Sequence, residues 1–152
     1  MKQTTLLFLR KDDHILLAMK KRGFGVDKWN GAGGKVEEGE TITEAAIREC
    51  QEEIGVTPTK LVNAGEFHFI DLPDVEHYCN IYVAHEWEGE PSESEEMRPQ
   101  WFHKDEIPYD QMWADDPYWM PFLLEGKRFK GKVIINEDGT IQKCDLARVA
   151  EL

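Results

Sequence analysis

Trp29-Asn30-Gly31-Ala32-Gly33-Gly34-Lys35-Val36-Glu37-Glu38-Gly39-Glu40 runs directly into Thr41-Ile42-Thr43-Glu44-Ala45-Ala46-Ile47-Arg48-Glu49-Cys50-Gln51-Glu52-Glu53-Ile54-Gly55-Val56. The second half carries the punctuation of a helix. Thr41 and Glu44 have the spacing of a capping box, and Gly55 stands where helices commonly end. Each helical residue advances by about 100°, so Glu49, Glu52 and Glu53 share one strip of surface with small Ala45 and Ala46 beside it. Ile47, Cys50 and Ile54 form a separate apolar stripe, the expected core face, while Glu44, Arg48 and Gln51 take the remaining side. Three carboxylates so close repel one another, and a hard divalent cation reverses that penalty. Taken alone, such a strip is ordinarily a solvated acidic face. The glycine run ahead of it shifts the balance, because bare backbone can approach a ligand closely. It is not a Walker-type loop, since no Lys-Ser/Thr pair follows at the required spacing.

Outward from this segment the chain reads mainly as strands. Thr4–Leu9 and Ile15–Met19 flank the polar turn Arg10–His14 and predict a hairpin. Lys60–Ile70, Tyr78–Trp87 and the short Gln100–His103 are further strands, with the acidic stretch Glu86–Glu96 expected as a solvated loop. Pro117–Leu124 reads as a second helix with Asp116 as its cap. Lys132–Asn136 and Thr140–Cys144 flank Asp138-Gly139, a hairpin signal. The expected class is α+β, one domain over residues 1–152 with a mixed sheet.

Composition narrows the function. The chain has 152 residues, 41% of them hydrophobic, which is enough for a core. Its 18 basic and 30 acidic residues give a formal charge of −12. That charge disfavours nucleic acid and anionic membrane as partners. An anionic small-molecule substrate then requires a local reversal of sign, and a bound metal ion supplies one. Cys50, Cys79 and Cys144 make an odd count without Cys-x-x-Cys spacing, so neither a disulfide framework nor a cysteine zinc site is indicated. The apolar run Leu6–Leu9 is too short for a signal peptide or a span. A cytoplasmic monomer is the expectation.

Gly34, Glu40, Arg48-Glu49, Glu52-Glu53 and Gly55-Val56 match the Nudix box, G-x5-E-x7-R-E-U-x-E-E-x-G-U, with Cys50 at one of the bulky aliphatic positions. The chain thus resembles the Nudix hydrolases. That resemblance implies an α/β/α sandwich and hydrolysis of a phosphoanhydride in a nucleoside diphosphate linked to another group, with Mg²⁺ (or Mn²⁺) as cofactor. It also implies Glu49, Glu52 and Glu53 as metal ligands, one of them activating water. The Gly33 carbonyl and Glu96 are implied as further ligands, and Arg48 as the residue that orients the glutamates.

Beyond the box, Met19–Gly25, Trp29-Asn30-Gly31, Glu96–Pro99 with Trp101-Phe102, and Met112–Trp119 are similar to the MutT-type branch found in mammals, which acts on oxidised purine nucleoside triphosphates. The implied substrates are of the 8-oxo-dGTP and 2-hydroxy-dATP type, and the products are the monophosphate and pyrophosphate. The implied pocket holds Thr5, Lys20, Phe24, Asn30, Phe69, Trp113, Asp115 and Asp116. Trp113 and Phe24 suit a flat base, Asn30 offers a donor and an acceptor, and Lys20 suits phosphate. Two adjacent carboxyls in an apolar pocket do not both ionise cheaply, so Asp115 and Asp116 can present one donor and one acceptor. Residues 70–80 depart from the branch's pattern, in which this region forms an apolar pocket floor. That departure places His77 or Asn80 near the base and leaves the purine spectrum open; His77 itself is taken as a surface or structural histidine without a role. The alternatives are a Nudix enzyme for dinucleoside polyphosphates or nucleotide sugars, and a non-catalytic nucleotide-binding module.

Overall fold

The computed structural model describes residues 2–152. Strands β1 (Gln3–Lys11) and β2 (His14–Lys20) form the expected hairpin, followed by the short β3 (Trp29–Asn30) and β4 (Ala32–Lys35). Helix α1 (Ile42–Ile54) comes next, then β5 (Thr57–Asp71), β6 (Val75–Glu88) and β7 (Met97–His103). A 3₁₀ turn at Tyr109–Gln111 leads to helix α2 (Asp116–Leu124), and β8 (Arg128–Ile135) and β9 (Ile141–Val149) close the chain. Among the described residues nine strands make one mixed sheet; seven run in the order β3-β2-β1-β6-β5-β8-β9, with β4 paired to β1 and β7 to β2 off that path. Pairs β1–β6 and β5–β8 are parallel, and the others are antiparallel.

One edge of β1 is shared, and this makes the cleft. Thr4–Leu7 pair with β4, whereas only Arg10 and Lys11 pair with β2. Strand β2 turns its other edge to β7 and its far end to β3. The sheet therefore divides into two leaves beyond Leu7, and the space between them opens toward α1.

Alternation along β1 feeds two cores, because successive side chains point to opposite faces. Phe8 joins Phe67, Phe69, Ile81, Phe129 and Trp119 on the α2 side. Leu7 and Leu9 join Ala46, Cys50, Ile54 and Tyr82 on the α1 side. Trp119 is 1% exposed and stacks on Phe129 at 5.6 Å between centroids.

Helix α1 has the expected ends. Thr41 Oγ1 accepts from the Glu44 N–H, Glu44 answers with a bond to the Thr41 N–H, and Gly55 caps at φ 75°. Its packing face is rotated from the expected one. Ala45, Ala46, Cys50 and Ile54 are buried and Ile47 is only half-buried. The small alanines allow close approach to the sheet, and the rotation draws Glu53 inward to 5% exposure. The acidic stretch also differs from a free loop. Glu86–Glu88 complete β6. The rest is tied to the end of α1 by the Ser92 N–H on the Ile54 carbonyl and by Ser94 Oγ on the Glu53 carbonyl at 2.7 Å. In α2 the capping role expected of Asp116 is not found. Asp115 holds the cap position without a side-chain capping bond, and Asp116 is the first helical residue with its carboxyl buried.

Gly33 shows how tightly β4 lies on β1. A Cβ built there falls 1.7 Å from the Thr5 carbonyl oxygen, a backbone atom that cannot step aside. Gly33→Ala is expected to cost at least about 3 kcal/mol. Urea unfolding checks this as a lower midpoint with an unchanged slope.

Candidate active site

The cleft between the leaves has a volume of about 600 Å³ and continues across the sheet end to α2. At one end lie Gly33, Gly34, Glu53 and Lys20; at the other lie Asn30, Phe69, Trp113, Asp115 and Asp116.

Glu53 is the buried member of the acidic strip. Its Oε1 accepts from the Gly33 N–H at 2.7 Å, and its Oε2 stands 4.0 Å from Lys20 Nζ. Burial pushes its carboxyl up to about 7; the Gly33 N–H and Lys20 pull it down, while Glu49 and Glu96 push it further up. Lys20 also reaches Glu96 Oε2 at 3.2 Å, so one ammonium sits between two carboxylates from different elements. Arg22 holds the other Glu96 oxygen at 2.7 Å.

Arg48 organises the rest. Its Nη1 reaches Glu49 at 2.9 Å and Glu52 at 3.2 Å. Its Nε and Nη2 grip both oxygens of Glu40, at 2.7 and 2.9 Å, and Nη2 also donates to the Lys35 carbonyl. The fork geometry suits guanidinium and carboxylate. Arg48 holds Glu40 down to about 2, first through the direct hydrogen bond. Glu49 moves the other way, upward, because burial outweighs Arg48. Gly34 completes the arrangement, since a Cβ there meets the Glu49 carboxylate at 2.6 Å.

The expected ligand set is brought to one region but not closed around one point. Among the described residues no three acidic, His or Cys side chains stand together at metal-holding distances. Glu52 is 60% exposed in its side chain, against 16% for Glu49 and 6% for Glu53. The cause is the local cations: Arg48 draws Glu49 and Glu52, and Lys20 with Arg22 draws Glu96. The donor set still fits a hard divalent ion. It is all oxygen, and Glu53 is buried beside two further acids with the Gly33 N–H and Lys20 opposing its desolvation.

The far end is apolar with a few polar groups. Phe24, 56% exposed, packs on Trp113 at 5.0 Å, and Phe69 meets Trp113 edge-on at 5.6 Å. Asn30 lines the cleft, and its Oδ1 accepts from the Gly31 N–H. Asp115 and Asp116 are each 2% exposed. Asp115 Oδ2 accepts from Trp119 Nε1 at 2.9 Å. Burial raises both carboxyls, and the Asp115 charge raises Asp116 further, well above the usual range. Of the four buried side-chain polar atoms without a partner among the described residues, three line this cleft: Thr5 Oγ1, Asp115 Oδ1 and Asp116 Oδ2.

Three residues have more to do than their sequence suggested. Glu40 anchors Arg48, a role its fixed spacing within the box could have signalled. Ser94 ties the acidic loop to Glu53 and has no sequence signal. His77 lines the base end of the cleft. Asn80 does not; its amide is spent on Gln3 Oε1 and the Thr4 carbonyl, both at 2.9 Å.

A mixed sheet with a helix on each face, and a glycine loop feeding an acidic helix at the mouth of a cleft, defines a helix–sheet–helix protein that gathers carboxylates beside a cleft. The NUDIX domain profile matches residues 2–152, and the chain belongs to the Nudix family and is a Nudix hydrolase. Nudix hydrolases generally use divalent metal ions. The chain is 53% identical to the oxidized purine nucleoside triphosphate hydrolase of Danio rerio, with 99% of this chain and 97% of that protein covered. It is 45% identical to the protein of the same name from Mus musculus, covering 95% and 94%. Among solved structures, the MutT protein from Bacillus halodurans superposes with a TM-score of 0.85 at 26% identity over the whole of both chains. Among the described residues no helix is long and apolar enough to cross a membrane.

Proposed function

We propose that this hydrolase cleaves oxidised or otherwise modified purine nucleoside triphosphates to the monophosphate and pyrophosphate, removing them from the nucleotide pool. One observation carries the reading: a single cleft joins Glu53 and the Gly33-Gly34 backbone to a buried aspartate pair with one unpartnered oxygen on each carboxyl. Unpaired buried oxygens cost about 1–3 kcal/mol each, and a base edge with complementary groups relieves that cost. The Danio and Mus relatives are named as oxidized purine nucleoside triphosphate hydrolases.

Glu49, Glu52 and Glu53 would hold Mg²⁺, or Mn²⁺ in its place, with Glu96 and the Gly33 carbonyl as further ligands. The ion supplies charge neutralisation at phosphate and a lowered pKa for water. Arg48, braced by Glu40, holds Glu49 and Glu52 together beside Glu53 on α1. Lys20 is the cation poised for phosphate. Trp113, Phe24 and Phe69 wall the base, while Thr5, Asn30, Asp115 and Asp116 supply its polar contacts.

A panel of 8-oxo-dGTP, 2-hydroxy-dATP, O6-methyl-dGTP, dGTP and ADP-ribose at equal concentration tests this. Pyrophosphate release is expected with Mg²⁺, at least tenfold faster for the modified purines than for dGTP. Preference for ADP-ribose, or for a dinucleoside polyphosphate added to the panel, overturns the reading.

A further inference from the structure

His77 belongs to β6, on the same face of the strand as Cys79 and Ile81, and it reaches the cleft from the sheet rather than from α2. Its ring is held twice. Nδ1 bonds Thr4 Oγ1 at 2.8 Å, and the ring lies over Phe69 at 5.0 Å with 35° between planes. Phe69 in turn abuts Trp113, so the imidazole is continuous with the aromatic wall. Nε2 has no hydrogen-bond partner among the described residues, and it is the one polar atom of the ring left for a ligand.

The position is defined relative to the aspartates. Cys79, two residues further along this face, lies close enough to Asp115 and Asp116 for their charges to act on it. Two residues of strand span about 7 Å, and the charges acting on His77 are those of Lys2 and His68 rather than of the aspartates, so His77 lies at a different part of the pocket from the aspartate pair. The imidazole is also neutral at physiological pH, since burial, with Lys2 and His68 nearby, pulls its pKa down to about 4. Its contact with a ligand is therefore a hydrogen bond and not a charge.

We propose that His77 is a specificity-determining residue of the purine pocket, favouring bases that bring a polar oxygen or N–H to Nε2 over bases that bring an alkyl group there. The inference rests on the modified-purine reading above. A methyl group facing a fixed imidazole nitrogen leaves that nitrogen unpaired in a drying cleft, whereas a keto or hydroxyl group pairs with it. The selection is thus for oxidised over alkylated purines.

The test compares the parent protein with His77→Leu and His77→Gln. Dissociation constants are measured for 8-oxo-dGMP and O6-methyl-dGMP, and kcat/KM for the corresponding triphosphates. In the parent the oxidised base is preferred. His77→Leu lowers the oxidised-to-methylated ratio at least tenfold in both measurements, and His77→Gln, which keeps a polar end, stays within about threefold of the parent. A ratio unchanged or raised in His77→Leu, in a protein that still binds and cleaves both bases, overturns the role of His77 alone. Loss of ratio in His77→Gln equal to that in His77→Leu also overturns it, pointing to packing on Phe69 instead. A parent that handles neither nucleotide overturns the modified-purine reading, and this inference with it.

Discussion

Glu53→Gln is expected to lose at least about a thousandfold in kcat with Mg²⁺ and, at the same time, to melt at a higher temperature than the parent in metal-free buffer at pH 8. The two effects share one cause. Glu53 is 5% exposed, and its carboxyl is pushed up to about 7. A carboxyl whose folded pKa lies above its unfolded one adds stability below the ordinary carboxylate range, and that stability is lost as pH rises through about 7. Above that pH the folded protein holds a desolvated anion. Glutamine removes the charge and retains an oxygen for the Gly33 N–H. A shift of this size corresponds to about 3–4 kcal/mol, or roughly 7 °C or more in Tm for a chain of this length. A structural role alone predicts the opposite sign in the melt. Calorimetry with EDTA at pH 5 and pH 8 checks the pair: the stabilisation is full at pH 8 and shrinks several-fold at pH 5. An unaltered Tm at pH 8, or near-parental turnover, removes Glu53 from the centre of the site.

That trade of stability for a poised anion explains which parts of the molecule were legible in the sequence. Local features were. The Thr41–Glu44 box, the Gly55 cap and the two expected hairpins depend on residues close in the chain, and they appear where expected. Strands β3 and β4, by contrast, form in the stretch read as a glycine loop, and β7, β8 and β9 extend beyond the expected runs. The gathering of Glu49, Glu52 and Glu53 on one strip follows from helical period alone. What did not show was set by distant partners. The rotation of α1 that buries Glu53 depends on how two alanines meet β1 and β4. The tether from Ser94 crosses 41 positions. His77 has nothing local to mark it, and only the register of β6 against β1 brings it to Thr4. Asp116 carried a capping signal that α2 does not use, because the Asp115 carboxylate turns to Trp119 one turn on.

The aspartate pair should separate by role when each member is made neutral. Asp116, fully buried beside the Asp115 charge, is the member of the pair on which a proton is favoured and so the one placed to offer a donor; Asp115, held by Trp119, has its free Oδ1 as an acceptor. Asp116→Asn keeps a donor of nearly the same shape, so kcat/KM for the oxidised triphosphate is expected to fall less than about tenfold, whereas Asp116→Ala loses about a hundredfold or more. Asp115→Asn cannot satisfy both sides. If its carbonyl faces Trp119, its amide turns a donor toward the base; if the amide faces Trp119, two donors collide. A loss of about a hundredfold is expected, of the order set by leaving one buried group unpaired. The pH profile discriminates further. Parental kcat/KM falls on the alkaline side as Asp116 ionises, and in Asp116→Asn that limb disappears because there is no proton to lose. Both raised carboxyls also withdraw stability as pH rises, so either asparagine variant gains in Tm above neutral pH while differing sharply in activity. Equal losses in the two asparagine variants, with the alkaline limb retained in both, place the base contact elsewhere in the cleft.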